Sequence, residues 1–180
     1  GINDSIKNVV NYQYDEIQVY DYSIIFNKNM TEKRQKDFTA DSSSYIDDMI
    51  FLHQNSADLV VGRNVKSVTL IASDDENFNR FIKLFDEEKQ NIAYPKDGEA
   101  VICKKLADSY NLQVGSTVIL RDENGKEMTV TVSGICENYI ENYVYITPDT
   151  AKEQWGYEPE IKSALVHAQG DNESQIYASS

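Results

Sequence analysis

Residues 98–139 read GEAVICKKLADSYNLQVGSTVILRDENGKEMTVTVSGICENY, and this stretch decides the class of fold. Its apolar runs predict a strand over 99–103, a helix over 104–110 and, after a turn at Gly115, a second strand. The polar residues 122–125 predict a tight turn, and the residues that follow alternate between apolar and polar, as in a half-buried strand. Strands interspersed with a short helix are typical of an α+β fold.

The residues before this stretch continue the mixed pattern. Apolar residues at helical spacing predict a helix over 4–16, and the alternation in VYDYSIIF predicts a strand over 19–26. Thr31 is a suitable N-cap for the polar helix TEKRQKDF. Apolar runs that meet near Gly62 predict a hairpin over 48–73.

The remaining segments add strands and one more helix. FIKLFD and NIAYP predict a strand pair over 81–95, and YVYIT predicts a strand over 143–147. Thr147, followed by a proline, predicts a helix that ends at Gly156, and EIKSALVHA is the last strand. Because the helices do not alternate regularly with the strands, this order favours an α+β fold over a doubly wound sheet.

The composition limits the classes of partner. The chain has 180 residues, enough for one ordinary domain or two small lobes. Thirty acidic against seventeen basic residues give a net charge of −13, which opposes binding to nucleic acid. The only tight basic group, Lys33, Arg34 and Lys36, has acidic neighbours. No segment has the ~18 consecutive apolar residues of a membrane-spanning helix, so the chain as given is expected to be soluble.

The sequence offers few groups for catalysis or metal binding. Its two histidines, His53 and His167, lie in strand-like runs, where a structural or surface role is more common than a catalytic one. The acidic run 74–76 could bind a cation or supply the paired carboxylates of a hydrolase, although such runs are usually solvated. Glycine-rich phosphate loops and closely spaced zinc ligands are absent from the sequence. We therefore expect no enzyme activity, no cofactor and no metal site.

Cys103 and Cys136 are the only cysteines in the sequence. Both lie at predicted strand ends within one compact segment. A disulfide between them is one interpretation, on the condition that the compartment is oxidising. Two small buried thiols are the alternative.

Twelve tyrosines make this the most abundant aromatic residue in the chain. A phenol ring suits an exposed contact surface, because it combines an apolar body with a polar tip. Tyr143 and Tyr145 share one face of a predicted strand, however, and for them a packed pair is favoured over such a surface.

Two stretches, GEAVICKKLADSYNLQVGSTVIL and VTVSGICENYIENYVYITPDTAKEQWG, together resemble a known family. They are similar to the extracytoplasmic domain of FtsX-like ABC-transporter permeases, the type called the MacB-like periplasmic core domain. In that family a strand is followed by a helix of small residues, an L-x-V-G-[DS]-x-[VI] turn into a strand, and a V-x-G-I strand. The opening GINDSIKNVVNYQYDEIQVYDYSIIF resembles the exit from the first membrane helix in large permeases of Gram-positive bacteria, so the likeness covers about residues 2–168.

The resemblance implies an α+β fold with two lobes. Residues 1–74 and 146–180 would form a mixed α/β lobe near the membrane, and residues 75–145 would form a smaller, mostly β lobe inserted into it. The helix at 4–16 would continue outward from a membrane helix. Members of the family usually carry a further helix and strand before the chain returns to the membrane, and this sequence departs from that pattern.

The same resemblance implies a function at the extracellular side of the cell membrane. Family members couple ATP hydrolysis, by a separate cytoplasmic ATPase subunit, to movement of this outer domain. The partner outside the membrane would be a peptide antibiotic, a lipid-linked molecule or a cell-wall regulator, and the acidic surface would favour a cationic peptide. The alternative is a secreted or lipid-anchored ligand-binding module with no transporter role.

Overall fold

The computed structural model describes residues 6–12, 19–137 and 142–169. Its strands are β1 (Ile6–Tyr12), β2 (Tyr22–Phe26), β3 (Ile46–Val61), β4 (Asn64–Ala72), β5 (Glu99–Cys103), β6 (Thr117–Arg121), β7 (Glu127–Cys136), β8 (Tyr143–Ile146) and β9 (Ile161–Ala168). The helices are α1 (Glu32–Ser42), α2 (Lys104–Tyr110) and α3 (Pro148–Trp155), and Phe78–Arg80 form a 3₁₀ turn. The described residues form an α+β fold, as the sequence predicts.

Backbone contacts divide the chain into two compact units. Unit 1 comprises Gly1–His53, Asp75–Lys83 and Glu160–Ser180, and unit 2 comprises Gln54–Asp74 and Leu84–Pro159. The units have different bounds from the lobes expected from the sequence, since the second half of β3, all of β4 and α3 belong to unit 2. The lobe division concerns position relative to a membrane and stays a prediction.

Unit 1 contains an antiparallel sheet with the strand order β1, β2, β9, β3. The alternation predicted for β2 is confirmed, because Tyr22, Ile24 and Phe26 are buried. Phe26 packs edge-to-face against Phe38 of α1, with the ring centroids 5.1 Å apart. Thr31 caps α1, as predicted. This aromatic contact holds the otherwise polar helix on the sheet.

The helix predicted over 4–16 is wrong where the structure describes it, because Ile6–Tyr12 form β1. This strand pairs antiparallel with β2, with irregular register between Ile6 and Val10. The rest of the predicted helix lies outside the described residues. The prediction used local spacing alone, whereas the edge of β2 offers hydrogen-bond partners along the segment, and its β-branched and aromatic residues suit a strand.

Unit 2 contains a closed ring of strands. The second half of β3 pairs with β4, and the pairing continues through β8, β5, β7 and β6. Strand β6 then returns to β3 over Asp58–Val60 and Ile119–Arg121. The pairings β4 with β8 and β5 with β7 are parallel. The ring is therefore a small barrel in which every strand has a partner on each side.

Alternate residues of these strands fill the interior of the barrel. The alternation predicted for β7 is confirmed, because Met128, Val130 and Val132 are all buried in the core of unit 2. Helix α3 ends in Trp155, which is 1% exposed and belongs to the same core. Its indole nitrogen donates a hydrogen bond to the carbonyl of Leu120 at 3.1 Å. Trp155 thereby anchors α3 to the barrel wall.

The strand pair predicted over 81–95 is present only in part. Phe85 and Asn91 form an antiparallel bridge, and the amide of Ile92 donates a hydrogen bond to the carbonyl of Leu84 at 2.9 Å, but the pairing does not extend into regular strands. Residues 84–95, called the strap below, are also hydrogen-bonded to the barrel, since the carbonyl of Phe85 accepts a hydrogen bond from the amide of Glu137 at 2.9 Å. The strap therefore combines part of the predicted local pairing with contacts to the barrel.

Tyr94 fastens the other end of the strap. Its hydroxyl accepts a hydrogen bond from the amide of Ser73 at 3.1 Å and donates one to the carbonyl of Ile146 at 2.7 Å. These residues follow β4 and end β8, which are parallel neighbours. Burial raises the pKa of Tyr94 far above its ordinary value, so the hydroxyl keeps the proton that this bridge needs.

A bulge in β7 brings Gly134 against the strap. The register with β5 passes from Ala100↔Val132 to Val101↔Gly134, so Ser133 is skipped. A Cβ atom at Gly134 would lie 2.6 Å from Cγ2 of Ile92, well inside van der Waals contact. Only a residue without a side chain fits here.

We predict that Gly134→Ala lowers the free energy of unfolding by about 1–3 kcal/mol, because the added methyl group overpacks against Ile92. The midpoint of urea unfolding measures this change. Removing the opposing branch with Ile92→Ala gives the control, and in that background Gly134→Ala should cost clearly less. Equal costs in the two backgrounds would show that this contact is not the cause.

Candidate functional site

The candidate site is a groove of about 510 Å³ in unit 2. It lies beside β3, β4 and the point where β6 ends, and clefts are the usual place for ligands. Its lining residues come from β3, β4, the end of β6, the turn between β6 and β7, and the residue before β8: Ser56, Ala57, Asp58, Ser67, Val68, Thr69, Arg121, Asp122, Glu123 and Asn142.

The groove forms where the pairing between β3 and β6 stops. Their register begins at Asp58↔Arg121, and β3 already runs as a strand before this point. The chain after Arg121 turns through 122–125 into β7, so β6 does not extend along β3 before Asp58. Sequence reasoning missed this groove because no local pattern signals which distant strand ends will meet.

Negative charge dominates the groove. Asp58, Asp122 and Glu123 line it, and Arg121 is the single basic residue among its lining residues. The guanidinium of Arg121 lies 3.1 Å from the carboxylate of Glu127, which offsets part of its charge. The lining therefore favours a cationic group over an anionic one.

Asp122 is the buried carboxylate of the groove, and its oxygens already have partners. One oxygen accepts a hydrogen bond from the hydroxyl of Tyr157 at 2.5 Å. The other accepts hydrogen bonds from the backbone amides of Asn124 and Lys126 at 2.9 and 2.8 Å. Burial opposes ionisation, but these hydrogen bonds outweigh it and hold the pKa of Asp122 below its ordinary value. Asp122 therefore fixes the β6–β7 turn and joins it to the residues after α3.

We predict that Asp122→Asn destabilises the protein at neutral pH by about 1–3 kcal/mol, because a charge-assisted network is lost. The folded-state pKa of Asp122 is below the unfolded value of 3.8, so its contribution is present above pH 3.8 and is lost as the pH falls further. Urea unfolding at pH 7 and in strong acid measures the difference between wild type and variant, which should shrink in acid.

Glu123→Gln is the matched control, since it removes a neighbouring charge whose side chain is exposed. It should leave stability nearly unchanged at both pH values. A pH-independent difference between wild type and Asp122→Asn would contradict the lowered pKa.

The structure brings Cys103 and Cys136 together. They are register partners at the ends of the parallel strands β5 and β7. Both are buried and both are free thiols. Whether they form a disulfide stays a prediction at this point.

His167 and Asp75, which were considered for catalysis or cation binding, make hydrogen bonds to the backbone. His167 lies in unit 1, where its Nε2 is 2.7 Å from the carbonyl oxygen of Arg80 and its ring packs on Phe81. In the run 74–76 all side chains are exposed, and Asp75 accepts a hydrogen bond from the amide of Asn77. Across the described residues, no group of three or more His, Cys, Asp or Glu side chains could hold a metal ion.

The packed interpretation of the two tyrosines in β8 is confirmed. Tyr145 is 1% exposed, and its ring lies 6.1 Å from that of Tyr143 in an edge-to-face arrangement. Tyr145 also contacts the ring of Tyr94 in the strap, at 6.4 Å between centroids. Tyr145 therefore belongs to the core, and the half-buried rings of Tyr143 and Tyr94 pack against it.

Comparison with known proteins supports the fold predicted from the sequence. No protein-family model and no curated protein matches the chain. Among solved structures, it is similar to the extracellular domain of the ABC-type transporter YknZ from Gram-positive bacteria, with a TM-score of 0.56 and 14% identity over 84% of this chain and 78% of that one.

A second similar structure is the periplasmic region of MacB from Actinobacillus actinomycetemcomitans. Here the TM-score is 0.55 and the identity 17%, over 87% of this chain and 78% of that one. At such identities the likeness establishes the fold. The MacB-like fold expected from the sequence is therefore confirmed.

Proposed function

We propose that this chain is the extracellular domain of an ABC-transporter permease and transmits ATP-driven conformational change to a partner outside the membrane. The observation that carries the proposal is the likeness to transporter domains over 84% and 87% of the chain. In the described part of the chain, no helix is long and apolar enough to cross a membrane. Membrane attachment would come from the rest of the parent permease, and ATP hydrolysis from a separate cytoplasmic subunit.

The construction of unit 2 suits a mechanical role. Its barrel combines a closed ring of hydrogen-bonded strands with a continuous apolar core. Such a unit can move as one body, because opening it would break backbone pairs and expose core residues. The absence of enzyme activity stays a prediction, supported by solved neighbours that are transporter domains.

The partner that the groove fits best is a cationic peptide. Asp58 and Glu123 supply negative charge to its lining, and the chain as a whole carries a net charge of −13, which would steer a cation toward the groove. The carboxylates among the lining residues outnumber the apolar residues, which are Ala57 and Val68, so the groove suits a cationic group better than a lipid chain. Among the candidate partners, a basic peptide antibiotic is thus favoured over a lipid-linked molecule or a cell-wall regulator.

We predict that the parent reading frame encodes a membrane-spanning helix shortly before Ile2 and further spans after Ser180. Hydropathy of the translated frame, with windows of about 19 residues, measures this. The proposal also places an ATPase subunit in a separate chain. A signal peptide with no further spans would instead support the secreted or lipid-anchored binding module.

We also predict that a decamer of lysine binds to the chain and that Asp58→Asn with Glu123→Gln weakens this binding about five-fold at low salt, because two charge pairs with the peptide are lost. Isothermal titration calorimetry at two salt concentrations measures the affinity. The affinity should fall as salt rises.

The matched control removes the same charge elsewhere. Glu32→Gln with Asp37→Asn changes two exposed acidic residues of α1 in unit 1. If this pair weakens binding as much as the groove pair, the peptide responds to net charge alone and the groove is not its site. A decamer of glutamate should not bind.

A further inference from the structure

The two cysteines occupy equivalent positions on neighbouring strands. In the parallel pairing of β5 with β7, the register ends with Val101↔Gly134, Ile102↔Ile135 and Cys103↔Cys136. Neighbouring strands lie about 4.8 Å apart, and register partners direct their side chains to the same face of the sheet. A disulfide requires Cα atoms about 4.4–6.8 Å apart, so this position satisfies its main geometric condition.

From this geometry we propose that Cys103 and Cys136 form a disulfide in the mature protein. The bond joins β5 to β7 at the point where β5 ends and α2 begins. It also lies beside the anchor of the strap, because the residue after Cys136 donates its amide to the carbonyl of Phe85. The disulfide therefore locks one wall of the barrel covalently.

The bond has to form while the chain folds. In the folded protein Cys103 and Cys136 are 0% and 1% exposed, so an oxidant cannot reach them. Burial also raises the pKa of both thiols, that of Cys136 to about 12, and the reactive thiolate is scarce. Oxidation before the two thiols become buried avoids both obstacles.

The step needs an oxidant, and the proposed extracellular location supplies that class of reagent. Two S–H bonds break and one S–S bond forms, and the two electrons and two protons pass to the disulfide of a thiol oxidoreductase, which becomes a dithiol. The compartment rests on the proposed function, because a cytoplasmic chain would remain reduced. The register of Cys103 with Cys136 does not depend on the proposed function.

The first experiment refolds the chain from denaturant in a glutathione redox buffer, followed by alkylation under denaturing conditions and mass spectrometry. The expected product is lighter by two hydrogen atoms and carries no alkyl group. Reducing it should lower Tm by about 10 °C, since the loop closed by the bond is long. Two alkylated cysteines, or a bonded form that melts below the reduced one, would overturn the proposal.

The control variant is Cys103→Ala with Cys136→Ala. Its Tm should not respond to reductant, so a response in this variant would assign the shift in Tm to another cause and count against the bond. Each single variant should refold without forming an intramolecular bond.

The second experiment separates this inference from the proposed function. The chain is exported with a secretion signal from a Gram-positive cell, and its thiols are compared with those of the same chain kept in the cytoplasm. Oxidation outside and free thiols inside support the proposal, whereas free thiols on the exported chain overturn it. Neither result depends on the membrane spans of the parent gene, whose absence would refute the permease function alone.

Discussion

Unit 2 depends on the short pairing between β3 and β6. Three register pairs, from Asp58↔Arg121 to Val60↔Ile119, close the ring that the other strands would otherwise leave open. Without them, β3 and β6 would each present an unpaired edge, which is a hazard for aggregation. Closure also encloses Leu59 and Leu120, which are 1% and 0% exposed. The same few hydrogen bonds therefore complete both the sheet and its core.

Closure has a geometric consequence in β7, which is the neighbour of β6 in the ring. A small barrel needs strongly curved strands, and bulges are the usual way to obtain that curvature. The bulge at Ser133 in β7 has this effect, and it places Gly134 under Ile92 of the strap. The absence of a side chain at Gly134 lets the strap approach the barrel closely, and Tyr94 can then bridge β4 and β8. The barrel wall and its external covering are thus two parts of one packing arrangement.

Local signals in the sequence were sufficient for most elements. Thr147, Pro148 and Gly156 set the bounds of α3, and the alternation of Met128, Val130 and Val132 identified the inner face of β7. The predictions fail in segments whose structure depends on a strand that is distant in the sequence. The segment 6–12 had helical spacing but pairs with β2, and the groove depends on Asp58 meeting Arg121. The resemblance to MacB-like domains predicted the fold but not these strand pairings, because proteins of low sequence identity share their topology more closely than their individual residue pairs.

The shifted pKa values in unit 2 help to separate contact from catalysis. Strongly perturbed groups mark active sites when they are free to exchange a proton with a substrate. Here the hydroxyl of Tyr94 both accepts a hydrogen bond from a backbone group and donates one to another. The carboxylate of Asp122 accepts hydrogen bonds from Tyr157 and from two backbone amides. Their shifts follow from burial and internal hydrogen bonds. The groove residues left to meet a partner are Asp58 and Glu123, which act through charge. An interaction of that kind would steer and hold a basic partner, as the proposed function requires.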